Sequence, residues 1–174
     1  MRYANIIYND LVNSDGVALT FYCQGCPHHC PYCFSKSTWD FDGGEELTEE
    51  LIDNAISVVK DFAFGYDNLI LLGGEPFANI DVCKLWVAKW KENFPKKKIW
   101  AYTGYNWNDL LVDKNRYDLL QQIDVVITGK FINELKNPKL AFRGSTNQYI
   151  IDVQKSLRLG MPSTIKKYME ICWF

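Results

Sequence analysis

Cys26, Cys30 and Cys33 stand in the spacing C-x3-C-x2-C within eight residues of this chain. They fall among Gly25, Pro27, His28, His29 and Pro31, which is loop composition rather than core composition. Thiols at this density bind a metal or oxidise to disulfides. Three arrangements compete. A disulfide pair is disfavoured, because nothing else marks the chain as secreted. A closed zinc site would need Cys23 as fourth ligand. An iron–sulfur cluster would use three cysteines and leave one iron open.

The elements around the loop bear on that choice. Val17, Leu19, Phe21 and Cys23 share a parity, so in a strand they share one face. That face is apolar, which places Cys23 in the core and leaves Cys26, Cys30 and Cys33 as a trio after the strand. A trio does not close a four-coordinate site, and an open iron is a place for a substrate. Gly73-Gly74-Glu75-Pro76 follows a second apolar run, Leu69 to Leu72. It reads as a plain turn, or as a ligand site where glycines permit close approach to the backbone.

Strand and helix patterns alternate along the chain. Val17 to Tyr22, Leu69 to Leu72, Ile99 to Tyr102, Asp124 to Ile127 and Tyr149 to Val153 read as strands. Thr48 caps a helix with Leu51, Ala55, Val58, Val59 and Phe62 on its apolar face, ending near Gly65. Asp81 to Asn93 is a second helix, stopped by Pro95, and Asn106 to Gln122 is helical in one piece or two. Tyr3 to Asn13 shows no clear period, and Asn13 to Gly16 is a turn. Ser35 to Gly44 is loop. Alternation of this kind implies an α/β fold with a parallel sheet. An eightfold barrel needs about 250 residues, and the chain has 174. The expectation is a single domain over residues 1–174, a partial (β/α) barrel of about five or six mostly parallel strands.

Composition narrows the function classes. Hydrophobic residues make up 48% of the chain, enough for a real core. A net charge of −2 gives no pull toward nucleic acid or an anionic membrane. Lys96-Lys97-Lys98 is too short for a binding patch. The first ten residues contain no apolar signal segment, and no window is long enough to span a membrane. These features place the protein in the cytoplasm, where thiols stay reduced and six cysteines favour metal over disulfide. Cys83 and Cys172 are expected to be structural. His28 and His29 read as loop residues that tune a metal group through hydrogen bonds.

With Tyr32 before the last cysteine, the motif resembles the signature of the radical S-adenosylmethionine (SAM) superfamily. There, three thiolates hold a [4Fe–4S] cluster and SAM chelates the fourth iron. Gly73-Gly74-Glu75-Pro76 is similar to that superfamily's SAM-binding turn. Lys36 to Trp39, Trp100 to Tyr105, Thr128 to Phe131 and Phe142 to Gln148 resemble tracts of the anaerobic ribonucleoside-triphosphate reductase-activating proteins. The resemblance runs from about Asn13 to Val153. It implies a glycyl-radical-enzyme activase with Cys26, Cys30 and Cys33 as cluster ligands. It implies a SAM site formed by Tyr32, Cys33, Phe34, Gly73, Gly74, Glu75, Thr103 and Lys130, with no separate acid–base residue. Its partners would be the glycyl-radical subunit of the reductase and a one-electron donor such as flavodoxin or ferredoxin. The chain departs from the family at Thr128, where an aspartate is usual, and at Tyr149, where a basic residue is. Arg143 could serve the SAM carboxylate, the cluster or the partner. Two other functions remain open: a radical SAM enzyme acting on a small molecule, as deazapurine-forming synthases do, and a non-enzymatic zinc module.

Overall fold

The computed structural model describes residues 1–63 and 65–170. Cys172, expected to be structural, lies outside the described residues. Seven strands form one sheet: β1 (Arg2–Asp10), β2 (Ala18–Cys23), β3 (Glu45–Glu46), β4 (Asn68–Gly73), β5 (Lys98–Tyr102), β6 (Val125–Thr128) and β7 (Tyr149–Asp152). Their spatial order is β3-β1-β2-β4-β5-β6-β7. The four inner strands β2, β4, β5 and β6 run parallel. β1, β3 and β7 pair antiparallel at the two edges.

The sheet therefore differs from the five or six mostly parallel strands expected. β1 was hidden because Ile6, Ile7, Tyr8 and Asn9 do not alternate cleanly. Its register with β2 shifts twice, so polar and apolar positions fall out of phase. β3 is two residues long and carries no pattern of its own. β7 was expected as a strand, but it returns to the sheet from the long segment after β6 and so runs the other way.

The helices are α1 (Glu49–Asp61), α2 (Ile80–Asn93), α3 (Trp107–Val112), α4 (Lys114–Leu120), α5 (Val153–Leu159) and α6 (Lys166–Glu170). The Thr48 hydroxyl caps α1 by accepting the Leu51 N–H at 3.2 Å. The buried face of α1 is Ile52, Ala55, Ile56 and Val59, whereas Val58 points to solvent and the helix stops before Phe62. Asn106 to Gln122 is indeed broken, because Asp113 leaves the helical conformation and caps α4 with its carboxylate.

Helices α1 to α5 share one face of the sheet. The main core lies there, with Leu19, Phe21, Leu69, Leu71, Ile99, Ala101 and Val126 of the strands against Trp86, Trp90 and Leu110. On the opposite face α6 covers only part of the sheet, through Tyr168 packed on Trp100 and Phe142. Among the described residues, the rest of that face is left as a groove. Among the described residues no helix is long and apolar enough to cross a membrane.

Candidate iron–sulfur and SAM site

Parallel strands bring their carboxyl ends to one edge. The cysteine loop follows β2, Gly73 and Gly74 close β4, Thr103 follows β5, and Gly129 follows β6. A cavity of about 900 Å³ lies across these ends and runs along the uncovered face as far as Leu11 and Val12. Its lining includes Cys26, Cys30 and Cys33 together with Tyr32, Phe34, Gly73, Gly74, Glu75 and Thr103. Lys130 does not line it. That side chain is exposed and lines an adjoining cavity of about 570 Å³, which shares His28 and Gly104 with the first.

Local sequence holds the cysteine loop in place. Gly25 and Cys26 donate their N–H groups to the carbonyls of Thr38 and Trp39, at 2.8 and 3.0 Å. The Gln24 amide donates to the carbonyls of Ser37 and Asp40. The tract Lys36 to Trp39 thus closes the loop, and His29 packs on Trp39 with centroids 4.9 Å apart. His29 and Tyr32 adopt positive φ, which turns the chain sharply between the cysteines.

All three cysteines are free thiols. Burial pushes the Cys26 thiol up, and the backbone N–H groups of His28 and His29 that point at its sulfur oppose that rise. Burial also raises Cys30, against the Phe131 N–H and the positive charge of Lys130. Cys23 is fully buried on β2, beside Cys83 of α2 and on the helix-covered face. It is on the far side of the strand from the groove, which speaks against a four-cysteine zinc site. Among the described residues, no group of three His, Cys, Asp or Glu side chains is drawn together as a metal cage. The donor set nonetheless fits an iron–sulfur cluster. Three reduced thiols on one loop face a cavity with backbone N–H groups aimed at sulfur, and among the described residues no fourth cysteine lines that cavity.

The two glycines of the turn answer first to packing. A Cβ on Gly74 would overlap the carbonyl of Gly25, and one on Gly73 would come within 2.7 Å of Tyr22 Cα. Gly73 also has φ of +97°. Their backbones abut the cysteine loop directly: Gly74 N–H donates to Cys23 O at 2.8 Å, and Glu75 N–H to Gly25 O at 2.9 Å. Glu75 is 1% exposed and accepts three hydrogen bonds. Its Oε1 takes the Phe77 N–H at 3.0 Å; its Oε2 takes the Gly104 N–H at 2.7 Å and His28 Nε2 at 2.8 Å. This buried carboxylate ties the cysteine loop, the end of β4 and the end of β5 into one unit.

Three participants were not legible in the sequence. Asn79 joins the two motifs, donating to the carbonyls of Gly25 at 2.8 Å and Glu75 at 2.9 Å. Gln148 holds the loop after β6, accepting from Gly144 and Ser145 and donating to Gly129 O. Asn147 donates to Lys130 O at 2.9 Å. Gln148 and Asn147 sit in a tract recognised by resemblance, but nothing local announced their partners. Arg143 lines the groove and donates to the carbonyls of Gln148 and Met169, so it braces α6 against the same loop. Thr128 is buried at the end of β6 opposite Tyr149 and supplies no charge where the family usually has a carboxylate.

A family model described as a 4Fe-4S single cluster domain matches residues 12–151. An anaerobic ribonucleoside-triphosphate reductase-activating protein of Vibrio cholerae is 38% identical over 86% of this chain and 97% of the relative. The protein of that name from Escherichia coli K12 is 35% identical over 86% of this chain and 97% of its own. That of Enterobacteria phage T4 is 34% identical over 85% and 92%. The chain belongs to the family of anaerobic ribonucleoside-triphosphate reductase-activating proteins. With that membership and its iron–sulfur domain, it is a radical SAM enzyme, as the cysteine spacing and the glycine turn implied. Among solved structures, the crystal structure of QueE from Escherichia coli aligns with 59% of this chain and 52% of that one. The TM-score is 0.43 at 15% identity, a likeness too slight to carry an argument.

Proposed function

We propose that this activating protein generates a glycyl radical on an anaerobic ribonucleoside-triphosphate reductase. The observation that carries the reading is the one cavity shared by Cys26, Cys30, Cys33 and the Gly73-Gly74-Glu75 turn. Cys26, Cys30 and Cys33 would hold a [4Fe–4S] cluster as thiolates, and with three ligands from the chain the methionyl end of SAM would bind beside it. When bound and reduced, the cluster would supply one electron to the sulfonium of SAM, breaking the sulfur–C5′ bond so that methionine leaves and the C5′ fragment can take a hydrogen from a glycine Cα of the reductase.

The chain's own work is to bind, orient and exclude water. Backbone groups of Gly73 and Gly74 take the methionyl amino group, with Glu75 holding that turn against the cysteine loop. Tyr32, Phe34 and Thr103 border the nucleoside, and Lys130 offers charge to the SAM carboxylate from the adjoining cavity. Phe34 is fully exposed and Leu11 and Val12 are 68% and 74% exposed at the two ends of the groove. Such apolar rims await a cover, and the reductase's glycine-bearing loop is that cover. Helices confined largely to one face support a partial barrel of radical SAM type in a single domain. The enzyme works in the cytoplasm with a one-electron donor such as flavodoxin or ferredoxin.

Anaerobic mixing of the reconstituted protein with SAM, a reductant and the reductase tests this. A glycyl radical should appear by electron paramagnetic resonance and vanish when the reductase's radical-site glycine becomes alanine. SAM cleavage with no radical, under conditions where the two proteins bind, would overturn it.

A further inference from the structure

The second cavity lies on the outer flank of the cysteine loop, between that loop, the segment after β5 and the segment after β6. It carries two cations, Arg116 and Lys130, and one carboxylate, Asp109. Asp109 is occupied: its Oδ2 accepts the Asn106 N–H at 3.0 Å and caps α3. Arg116 is held in place, its guanidinium carbon 3.9 Å from the Tyr105 ring centroid and one N–H donating to the Tyr105 hydroxyl at 3.0 Å. On a chain of net charge −2 this is a local positive feature. His28 links the two cavities. Its ring lines both and packs edge-on against Tyr105 at 4.5 Å, while its backbone N–H points at the Cys26 sulfur.

On the function proposed above, SAM and the partner's glycine loop fill the larger cavity during turnover. An electron must then reach the cysteine loop from another side. We propose that the second cavity seats an acidic surface of the one-electron donor protein, with Arg116 receiving its carboxylates and His28 and Tyr105 lying between donor and cluster. The step is a transfer of one electron: the donor is oxidised by one, the cluster is reduced by one, and no bond changes. Charge at such a rim acts chiefly on the association rate and its dependence on salt. The inference rests on the iron–sulfur reading, and the test separates the two.

The reconstituted holoenzyme is mixed anaerobically with reduced flavodoxin or with dithionite, and bleaching of the cluster absorbance is followed. Arg116→Glu should slow reduction by flavodoxin about tenfold, the low end of the range set by electrostatic steering. Its rate with dithionite should match wild type. Arg116→Lys should stay near wild type with both. Asp109→Asn keeps a capping oxygen and removes a negative charge, so it should speed reduction by flavodoxin and weaken none of the rest. Equal loss with both reductants, or no change with flavodoxin for either charge variant, would overturn the docking site. Reconstituted wild-type protein that carries no iron, sulfide or cluster absorbance would overturn the iron–sulfur reading and the docking site with it.

Discussion

Cys23 points from β2 into the core whereas Cys26, Cys30 and Cys33 lie in the loop after it and line the cavity, and single substitutions should expose the difference. Each of Cys26→Ala, Cys30→Ala and Cys33→Ala should lose the cluster, read as iron and sulfide per chain after anaerobic reconstitution. Cys23→Ala should keep full iron, at a cost of about 1 kcal/mol of stability from a small core truncation, because Cys23 is buried against Cys83 away from the groove. Loss of iron in Cys23→Ala would make it a ligand. Gly74 makes a sharper case. In the sequence, its role was close approach by a ligand; in the structure, the space beside its Cα is taken by the Gly25 carbonyl. Even Gly74→Ala should therefore displace the cysteine loop and lower iron content together with SAM affinity. Full iron with normal SAM binding in Gly74→Ala would show that the contact yields without cost.

Asp10 anchors the turn between β1 and β2, which forms the far end of the groove. Its carboxylate is buried, which alone would raise its pKa, but four hydrogen bonds outweigh burial and lower it. They come from Val12 N–H at 2.8 Å, Asn13 N–H at 3.2 Å, Asn13 Nδ2 at 2.7 Å and Thr20 Oγ1 at 2.6 Å. A lowered folded-state pKa contributes stability above the unfolded value and loses it as pH falls through the folded one. Asp10→Asn should thus cost about 1–3 kcal/mol at neutral pH, with the gap to wild type closing in denaturant titrations below about pH 4. Elements with a strong period were legible: the continuous apolar run of β4 marks a strand buried on both faces, and Thr48 with two glutamates marks the start of α1. β1 was not, because two register shifts spoil its alternation, and β3 was too short to carry a pattern. The placing of the cysteine trio in a loop after a strand, and of the glycine turn after β4, was legible in the sequence. Their linkage through Asn79, His28 and Glu75 was not, since it depends on loops 47 or more residues apart meeting in space.

At the scale of the whole molecule, four parallel strands deliver the cysteine loop, the glycine turn, Thr103 and the loop after β6 to one edge, above a face left open by the helices. On the proposed function the partner's glycine-bearing loop completes the site, between the exposed Phe34 and the exposed Leu11 and Val12. The central claim is that the hydrogen taken by the 5′-deoxyadenosyl radical comes from a glycine of the reductase. Its most direct test uses reductase prepared with Cα-deuterated glycine, incubated anaerobically with this protein, SAM and a reductant. Mass spectrometry of the 5′-deoxyadenosine should show one deuterium acquired per radical formed, and none when the radical-site glycine is replaced by alanine. Unlabelled 5′-deoxyadenosine accompanying a full yield of glycyl radical would contradict it.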